Sequence, residues 1–218
     1  MTYQTFPWVE GASKTLDKLA ALHLPDLTSK KVLDIGCNEG FFCGWAKFNG
    51  ASQVLGIDRS PKVMDTCELL FSDCDFKCQS WDDLDDTKYD VILFLSAIHY
   101  AKDQEQTIHF LMDRLEPTGR LVLEMGIAPR MADKFIEVHR IAGDVCQYPT
   151  ATKMHSMLSR YSYTYVGPSV NQGGDQIPRH VYHVMHRAPV DEAHDNRAKA
   201  YQLELVKRFK ALQILARN

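Results

Sequence analysis

Short unbroken apolar runs alternate along the chain with longer stretches in which apolar residues return every three or four positions. The runs Lys31 to Ile35, Gln53 to Ile57, Tyr89 to Ser96 and Gly119 to Met125 predict buried strands. Tyr89 to Ser96 suits the centre of a sheet, because a parallel strand covered on both faces has no polar side. A shorter strand is expected near Asp75 to Gln79. Ser13 to His23 predicts an amphipathic helix, with Ser13 as N-cap and Leu16, Leu19, Ala20 and His23 on its apolar side. Gly40 to Phe48 predicts a second helix, closed by Gly50. Ser60-Pro61 reads as a cap followed by a first-turn proline, opening a helix to about Phe71. Helices are also expected over Gln104 to Leu115, Pro129 to Ala142 and Thr150 to Tyr161. Tyr163 to Val166 and His180 to Met185 read as the last two strands. With no long helix between them, they predict an antiparallel pair at one edge.

Strand and helix alternate over the first 125 residues. That order predicts an α/β, Rossmann-like, doubly wound sheet of seven mostly parallel strands with an antiparallel edge pair. The composition shifts at Ala188-Pro189. Beyond it Ala198, Tyr201, Leu205, Phe209, Leu212 and Ala216 recur at helical spacing, opposite Arg197, Lys199, Lys207, Arg208, Lys210 and Arg217. This predicts a C-terminal amphipathic helix over 188–218, appended to a domain of residues 1–187 whose first 27 residues form a lid and helix segment. The apolar stripe is expected to pack on the body or on a second copy as a homodimer; a membrane surface or a polyanion is the other reading.

Composition narrows the setting. The chain has 218 residues, 45% of them hydrophobic, enough for a real core. A formal net charge of −3 provides no overall field for nucleic acid or membrane. No apolar run nears the roughly 20 residues that span a bilayer. The N-terminus shows neither a basic region nor an apolar run of signal type, so a cytoplasmic protein is expected. The six cysteines show no C-x-x-C pairing and read as reduced thiols. Cys74, Cys78 and His99 lack a second close-spaced ligand pair, so no metal is expected.

The chemistry centres on Val32-Leu33-Asp34-Ile35-Gly36-Cys37-Asn38-Glu39-Gly40-Phe41-Phe42, a strand entering a glycine-bearing turn and then a helix. A second acid, Asp58, ends the next strand, where such units bond ribose hydroxyls. A pyrophosphate site wants G-x-G-x-x-G, but this turn has two glycines with Asn38 between them. A carboxylate at Asp34, with Glu39 in the turn, suits a cationic ligand better than a pyrophosphate. S-Adenosylmethionine, with its sulfonium and amino group, fits that preference.

On these residues the chain resembles the class I S-adenosylmethionine-dependent methyltransferases. Asp34 to Gly40 is similar to their first motif, with Asn38 replacing the middle glycine; asparagine also tolerates positive φ. The resemblance implies that Asp58 is the ribose-binding acid. It implies that Gln79-Ser80-Trp81-Asp82-Asp83 holds the adenine, through Asp82 or its neighbour Asp83, with Trp81 as a stacking wall or as core. Tyr89 to Tyr100 is similar to the family's fourth strand and the loop over the methyl group. Gly36, Cys37, Asn38, Gly40, Phe41 (or Phe42), Arg59 and Ser96 complete the expected cofactor contacts.

The acceptor is less defined, since one fold serves O, N, C and S acceptors. No Asn/Asp-Pro-Pro-Tyr motif follows the fourth strand, which argues against DNA amino methylation. His99 is the candidate base, or a donor to an anionic acceptor; a core role is its alternative. Parts of the chain, including Gln176 to Val184, resemble the methyltransferase domain of the kinase–methyltransferases that cap O-antigen chains, which implies a phosphate on a glycan. The front half is also similar to the proteins related to tRNA wobble-uridine carboxymethyltransferase. Lys102, Arg130, Arg179, His180 and His183 form a candidate anion site, or scattered surface cations. Tyr3, Phe6 and Trp8 are expected either to close over the acceptor as a lid or to pack on the sheet. Three functions stand at this point: methylation of an oxygen on a small or glycan-like acceptor that can carry a phosphate, methylation of RNA or tRNA, and a non-catalytic cofactor-binding subunit.

Overall fold

The computed structural model describes residues 2–130, 132–139, 145–171 and 176–188. The chain divides into a unit of residues 1–186 and a second of 187–218, of which only Arg187 and Ala188 are described. The helix expected at the C-terminus therefore lies outside the described residues.

The elements follow the apolar runs closely. They are α1 (Thr15–Leu22), β1 (Lys31–Ile35), α2 (Phe41–Phe48), β2 (Gln53–Asp58), α3 (Pro61–Leu70), β3 (Asp75–Cys78), β4 (Tyr89–Leu95), α4 (Gln104–Met112), β5 (Leu115–Gly126), β6 (Phe135–His139), β7 (Val145–Pro149), α5 (Ala151–Leu158), β8 (Ser162–Pro168) and β9 (Arg179–Met185). Seven strands form one sheet in the order β3-β2-β1-β4-β5-β9-β8. The first five are parallel, and β9 runs antiparallel to both β5 and β8. The sequence order reverses at β1 and β4, and the carboxyl ends of those strands are where open α/β sheets bind ligands.

One face of the sheet packs Val32, Val54, Leu93, Val122 and Val181 against Leu22 of α1 and Ala46 of α2. The other packs Leu33, Ile92, Phe94, Leu121 and Val184 against Ile108 and Leu111 of α4 and Met157 of α5. Between β3 and β4 there is no α-helix, only a 3-10 turn at Trp81–Asp83.

Three expectations are corrected. The described residues within the helix expected over 129–142 are not helical: Phe135–His139 pairs antiparallel with Val145–Pro149 as a separate two-stranded ribbon. Its anchor is Tyr148, whose ring lies so close to Gly126 that a Cβ there would sit 2.6 Å from it. That contact joins distant parts of the chain, so the local spacing of Phe135, Ile136 and Val138 was a poor guide. In α1, Leu16, Ala20 and His23 are exposed while Thr15, Lys18 and Leu22 are buried. The helix turns its one buried lysine inward because a carboxylate awaits it there. Ser13 is not the cap of α1 either: Lys14 holds that position, and the Ser13 hydroxyl bonds the Thr15 hydroxyl at 2.6 Å.

Candidate active site

The turn after β1 is held by its own backbone. The N–H groups of Gly36 and Cys37 both donate to the Ile57 carbonyl, at 2.8 and 3.0 Å. Gly36, Asn38 and Gly40 all have positive φ, 74°, 50° and 82°. Asn38 thus takes the left-handed conformation a middle glycine would take, and its side-chain oxygen accepts from Glu39 N–H at 2.9 Å. A Cβ on Gly36 would meet only Ala97, at 3.8 Å, so the turn is open toward the carboxyl end of the sheet.

That opening is a cavity of about 370 Å³, within the usual size of a small-molecule site. Asp34, Asp58 and Arg59 line it, as do Gln79, Trp81 and Ser96. Asp34 is only 2% exposed and receives a contact from the Cys43 thiol at 3.5 Å. Burial pushes its carboxyl up to about 7. It forms no salt bridge among the described residues, so a cation entering the cavity is its natural partner. Asp58 accepts from Asn38 N–H at 3.1 Å and from Ser60 N–H at 2.9 Å. These bonds fix its carboxylate at the cavity edge with lone pairs still available.

The N-terminal segment is sewn onto this turn. Glu39 accepts from the backbone of Tyr3 at 2.7 Å and of Gln4 at 2.8 Å. Gln4 donates to the Cys37 carbonyl at 3.2 Å and accepts from Phe41 N–H at 3.0 Å, satisfying a first-turn donor of α2. Phe6 is buried between Trp8, Phe41 and Phe71. Glu39 therefore does not face a cationic ligand, as expected from sequence; its carboxylate holds the chain's own backbone. Tyr3, Ser13, Thr15 and Lys18 complete the cavity wall.

At the far end of the cavity lies a buried polar network that sequence reading missed. Glu124, fully buried at the end of β5, pairs with Lys18 at 2.9 Å and accepts from the hydroxyls of Ser96 and Ser169. Burial alone would raise its carboxyl, but Lys18, Ser169 and Ser96 hold it below the ordinary glutamate range. Ser96 has a positive φ of 55° just after β4, and its hydroxyl accepts from Arg179 at 2.6 Å and Lys18 at 3.3 Å. A non-glycine residue in that conformation costs about 1–3 kcal/mol, strain of a kind that collects at functional sites. The signal was one acid inside the apolar run Leu121-Val122-Leu123-Glu124-Met125.

The remaining candidates scatter. His99 does not line this cavity: its buried ring stacks on Tyr148 at 5.4 Å and leans on Tyr100 at 4.2 Å. Trp81 lines the cavity and meets Phe94 edge-on, with the Arg59 guanidinium over its ring. Asp82 and Asp83 are exposed and bond Ser80, so Gln79 rather than Asp82 shares the wall with Trp81. Phe42 lines the cavity, whereas Phe41 and Cys37 are core. Trp8 is 66% exposed and stacks on Phe6 outside the wall. Arg130 is exposed and away from it, and His180 meets the Tyr165 hydroxyl at 3.1 Å. His183 bonds the Leu22 carbonyl at 3.0 Å, tying β9 to α1.

A second concavity of about 830 Å³ adjoins the first, with Arg59 and Tyr100 lining both. Its walls come from the 3-10 turn at Ile98–Tyr100, the start of α4 and the β6–β7 ribbon.

A family model for a methyltransferase domain matches residues 8–167. A tRNA U34 carboxymethyltransferase of Desulfotalea psychrophila is 28% identical over 109 residues, 47% of this chain and 34% of that one. A ubiquinone biosynthesis O-methyltransferase of Neisseria meningitidis is 26% identical over 123 residues, 50% of this chain and 52% of that one. The chain thus spans between a third and about half the length of these curated relatives. A solved S-adenosylmethionine-dependent methyltransferase from Mesorhizobium loti superposes with a TM-score of 0.61 at 18% identity, covering 77% of this chain and 97% of that one. A likeness at that identity speaks to the fold.

Proposed function

The chain belongs to the methyltransferase domain family, and on that premise we propose that it binds S-adenosylmethionine above β1, β2 and β4 and methylates an oxygen of a small or glycan-like acceptor bearing a phosphate or carboxylate. The observation that carries the reading is the pair of carboxyl groups facing one cavity in different states. Asp34 is buried with no salt bridge among the described residues, which suits the cofactor's cationic amino-acid end. Asp58 is pre-positioned by two backbone N–H groups, which suits ribose hydroxyls. When bound, the cofactor supplies a methyl group on an electrophilic sulfonium.

This chain's residues then have separable tasks. Gly36, with no side chain, leaves the backbone approachable. Gln79 and Trp81 wall the base. Lys18 brings a cation to the amino-acid end. Phe42, Leu95 and Ala97 keep water from the reacting end. Ser96 stands between Arg179 and Glu124, oriented by both. Catalysis on such a plan is mostly positioning. An ionised phosphate or carboxylate oxygen needs no general base. That agrees with His99 facing the neighbouring groove instead of the cavity.

Calorimetry with S-adenosylmethionine tests the first half. Asp58→Ala is expected to weaken binding by about 1–3 kcal/mol, the cost of ribose hydroxyls left unpaired. Absence of binding by the unaltered protein at millimolar ligand would overturn the reading. Binding without transfer to any sugar phosphate, organic acid or tRNA would favour a regulatory subunit. A second reading, RNA as acceptor, draws on the tRNA U34 carboxymethyltransferase relatives and on exposed Tyr100 and Trp8, which offer ring faces to unstacked bases. Labelled methyl transfer to bulk tRNA, absent with sugar phosphates, would select it.

A further inference from the structure

We propose that the 830 Å³ groove is the acceptor's binding site and takes a glycosyl phosphate, with Gln104 recognising a ring hydroxyl and Lys102 the phosphate. The inference rests on the methyl-transfer reading above and names the substrate class for it. The groove opens into the cofactor cavity at Arg59 and Tyr100, so a molecule lying in it can present one end to the reacting centre.

Three features define what fits. Gln104 lines the groove yet is only 3% exposed. Its Nε2 donates to the Gln147 carbonyl at 2.6 Å, while its Oε1 has no hydrogen-bond partner among the described residues. A buried polar atom without a partner is costly, and a ligand donor removes that cost. Lys102 is exposed on the same wall and makes no ion pair among the described residues, unlike Lys153, which is paired with Glu105 at 3.0 Å. Tyr100 is half-exposed at the junction and offers a flat apolar face.

A sugar hydroxyl matches a lone acceptor, because it donates once and accepts elsewhere. A nucleobase edge sets a carbonyl beside its N–H and asks one amide for both a donor and an acceptor. Gln104 has given one of its two amide N–H donors to Gln147, and the atom left wanting a partner is the acceptor Oε1. The site is also built rather than incidental. The ribbon wall is fixed by Ala128 N–H to the Pro149 carbonyl at 2.9 Å, by Tyr148 against Gly126, and by the stacking of His99 on Tyr148.

The test uses the full chain saturated with S-adenosylhomocysteine, titrated calorimetrically with α-D-glucose 1-phosphate, glucose, and uridine 5′-monophosphate. Glucose 1-phosphate is expected to bind and the other two to bind at least about tenfold more weakly. Gln104→Leu should weaken glucose 1-phosphate about tenfold and leave S-adenosylhomocysteine affinity unchanged. Lys102→Ala, at an exposed position that does not endanger folding, should abolish the preference for the phosphate over free glucose. Tighter binding of uridine 5′-monophosphate, or sugar phosphate affinity indifferent to both substitutions, would overturn the inference while leaving methyl transfer standing. Failure of S-adenosylhomocysteine itself to bind would remove the methyl-transfer reading, and the inference with it.

Discussion

Glu39 Oε1 and Oε2 accept from the backbone N–H groups of Tyr3 and Gln4, at 2.7 and 2.8 Å, across 36 and 35 residues of chain. One carboxylate in the turn thus closes the N-terminal segment over the cavity that the turn forms. Gln4 returns the contact by satisfying Cys37 and Phe41. Turn and N-terminal segment are one hydrogen-bonded unit, so order in one supports order in the other.

Glu39→Ala leaves two backbone donors and Gln4 without their anchor. A loss of about 2–3 kcal/mol in stability is expected, together with weaker cofactor binding. Hydrogen exchange at the Tyr3 and Gln4 amides checks it; protection equal to that of the unaltered chain would show that the N-terminal segment is held by Phe6 alone.

Asp34 gives the site a pH dependence whose two parts have opposite sign. Between the ordinary value of 3.8 and about 7, the ligand-free folded chain keeps a proton that the unfolded chain has released. Stability therefore falls as pH rises across that window. A cationic ligand favours the carboxylate, so affinity for S-adenosylmethionine should rise as pH passes through about 7. Asp34→Asn should remove both trends: above neutral pH the ligand-free variant melts about 4 °C higher yet binds the cofactor at least about tenfold more weakly. Melting curves and calorimetry on either side of neutrality would expose a flat profile if Asp34 is ionised throughout.

The Lys18–Glu124 pair is buried at both ends. Glu124→Gln alone should cost about 3–5 kcal/mol, because Lys18 is left without its counter-charge. Adding Lys18→Met should recover more than half of that loss. Urea unfolding of the four members of the cycle measures the coupling; additive losses would mean that the two residues act separately.

Gly44 on α2 is required by Phe71, since a Cβ would lie 2.1 Å from that ring. Gly44→Ala should destabilise by about 1–3 kcal/mol through overpacking. The same substitution in a Phe71→Leu background should cost far less. Equal costs in both backgrounds would place the clash elsewhere.

The parallel strands, the glycine turn and Asp58 were legible because their information is local: apolar runs, a left-handed Asn38 and an acid at a strand end. The β6–β7 ribbon was not, since its stability comes from Tyr148 on Gly126, far apart in sequence. The buried face of α1 was misread for the same reason. Lys18 looks like a surface residue until Glu124, 106 positions later, is placed beside it. Glu39 was readable as an acid in the turn, but its partners are backbone groups, which carry no letter in the sequence. His99 was readable as a candidate, yet only the ribbon shows that its ring belongs to the groove wall.

The missing helix between β3 and β4 leaves the two ends of the cavity unequally made. The end near Ser96 is bolted by buried charges drawn from α1, β5 and β9. The end near Trp81 is a three-residue turn capped by Ser80 and carrying two exposed aspartates. With the cofactor placed as proposed, the wall beside the base can give way and the wall beside the amino acid cannot. On that placement the chain should forgive a cofactor enlarged at its purine and reject one reshaped at its amino-acid tail, a built-in asymmetry open to anyone seeking to load it with tagged analogues.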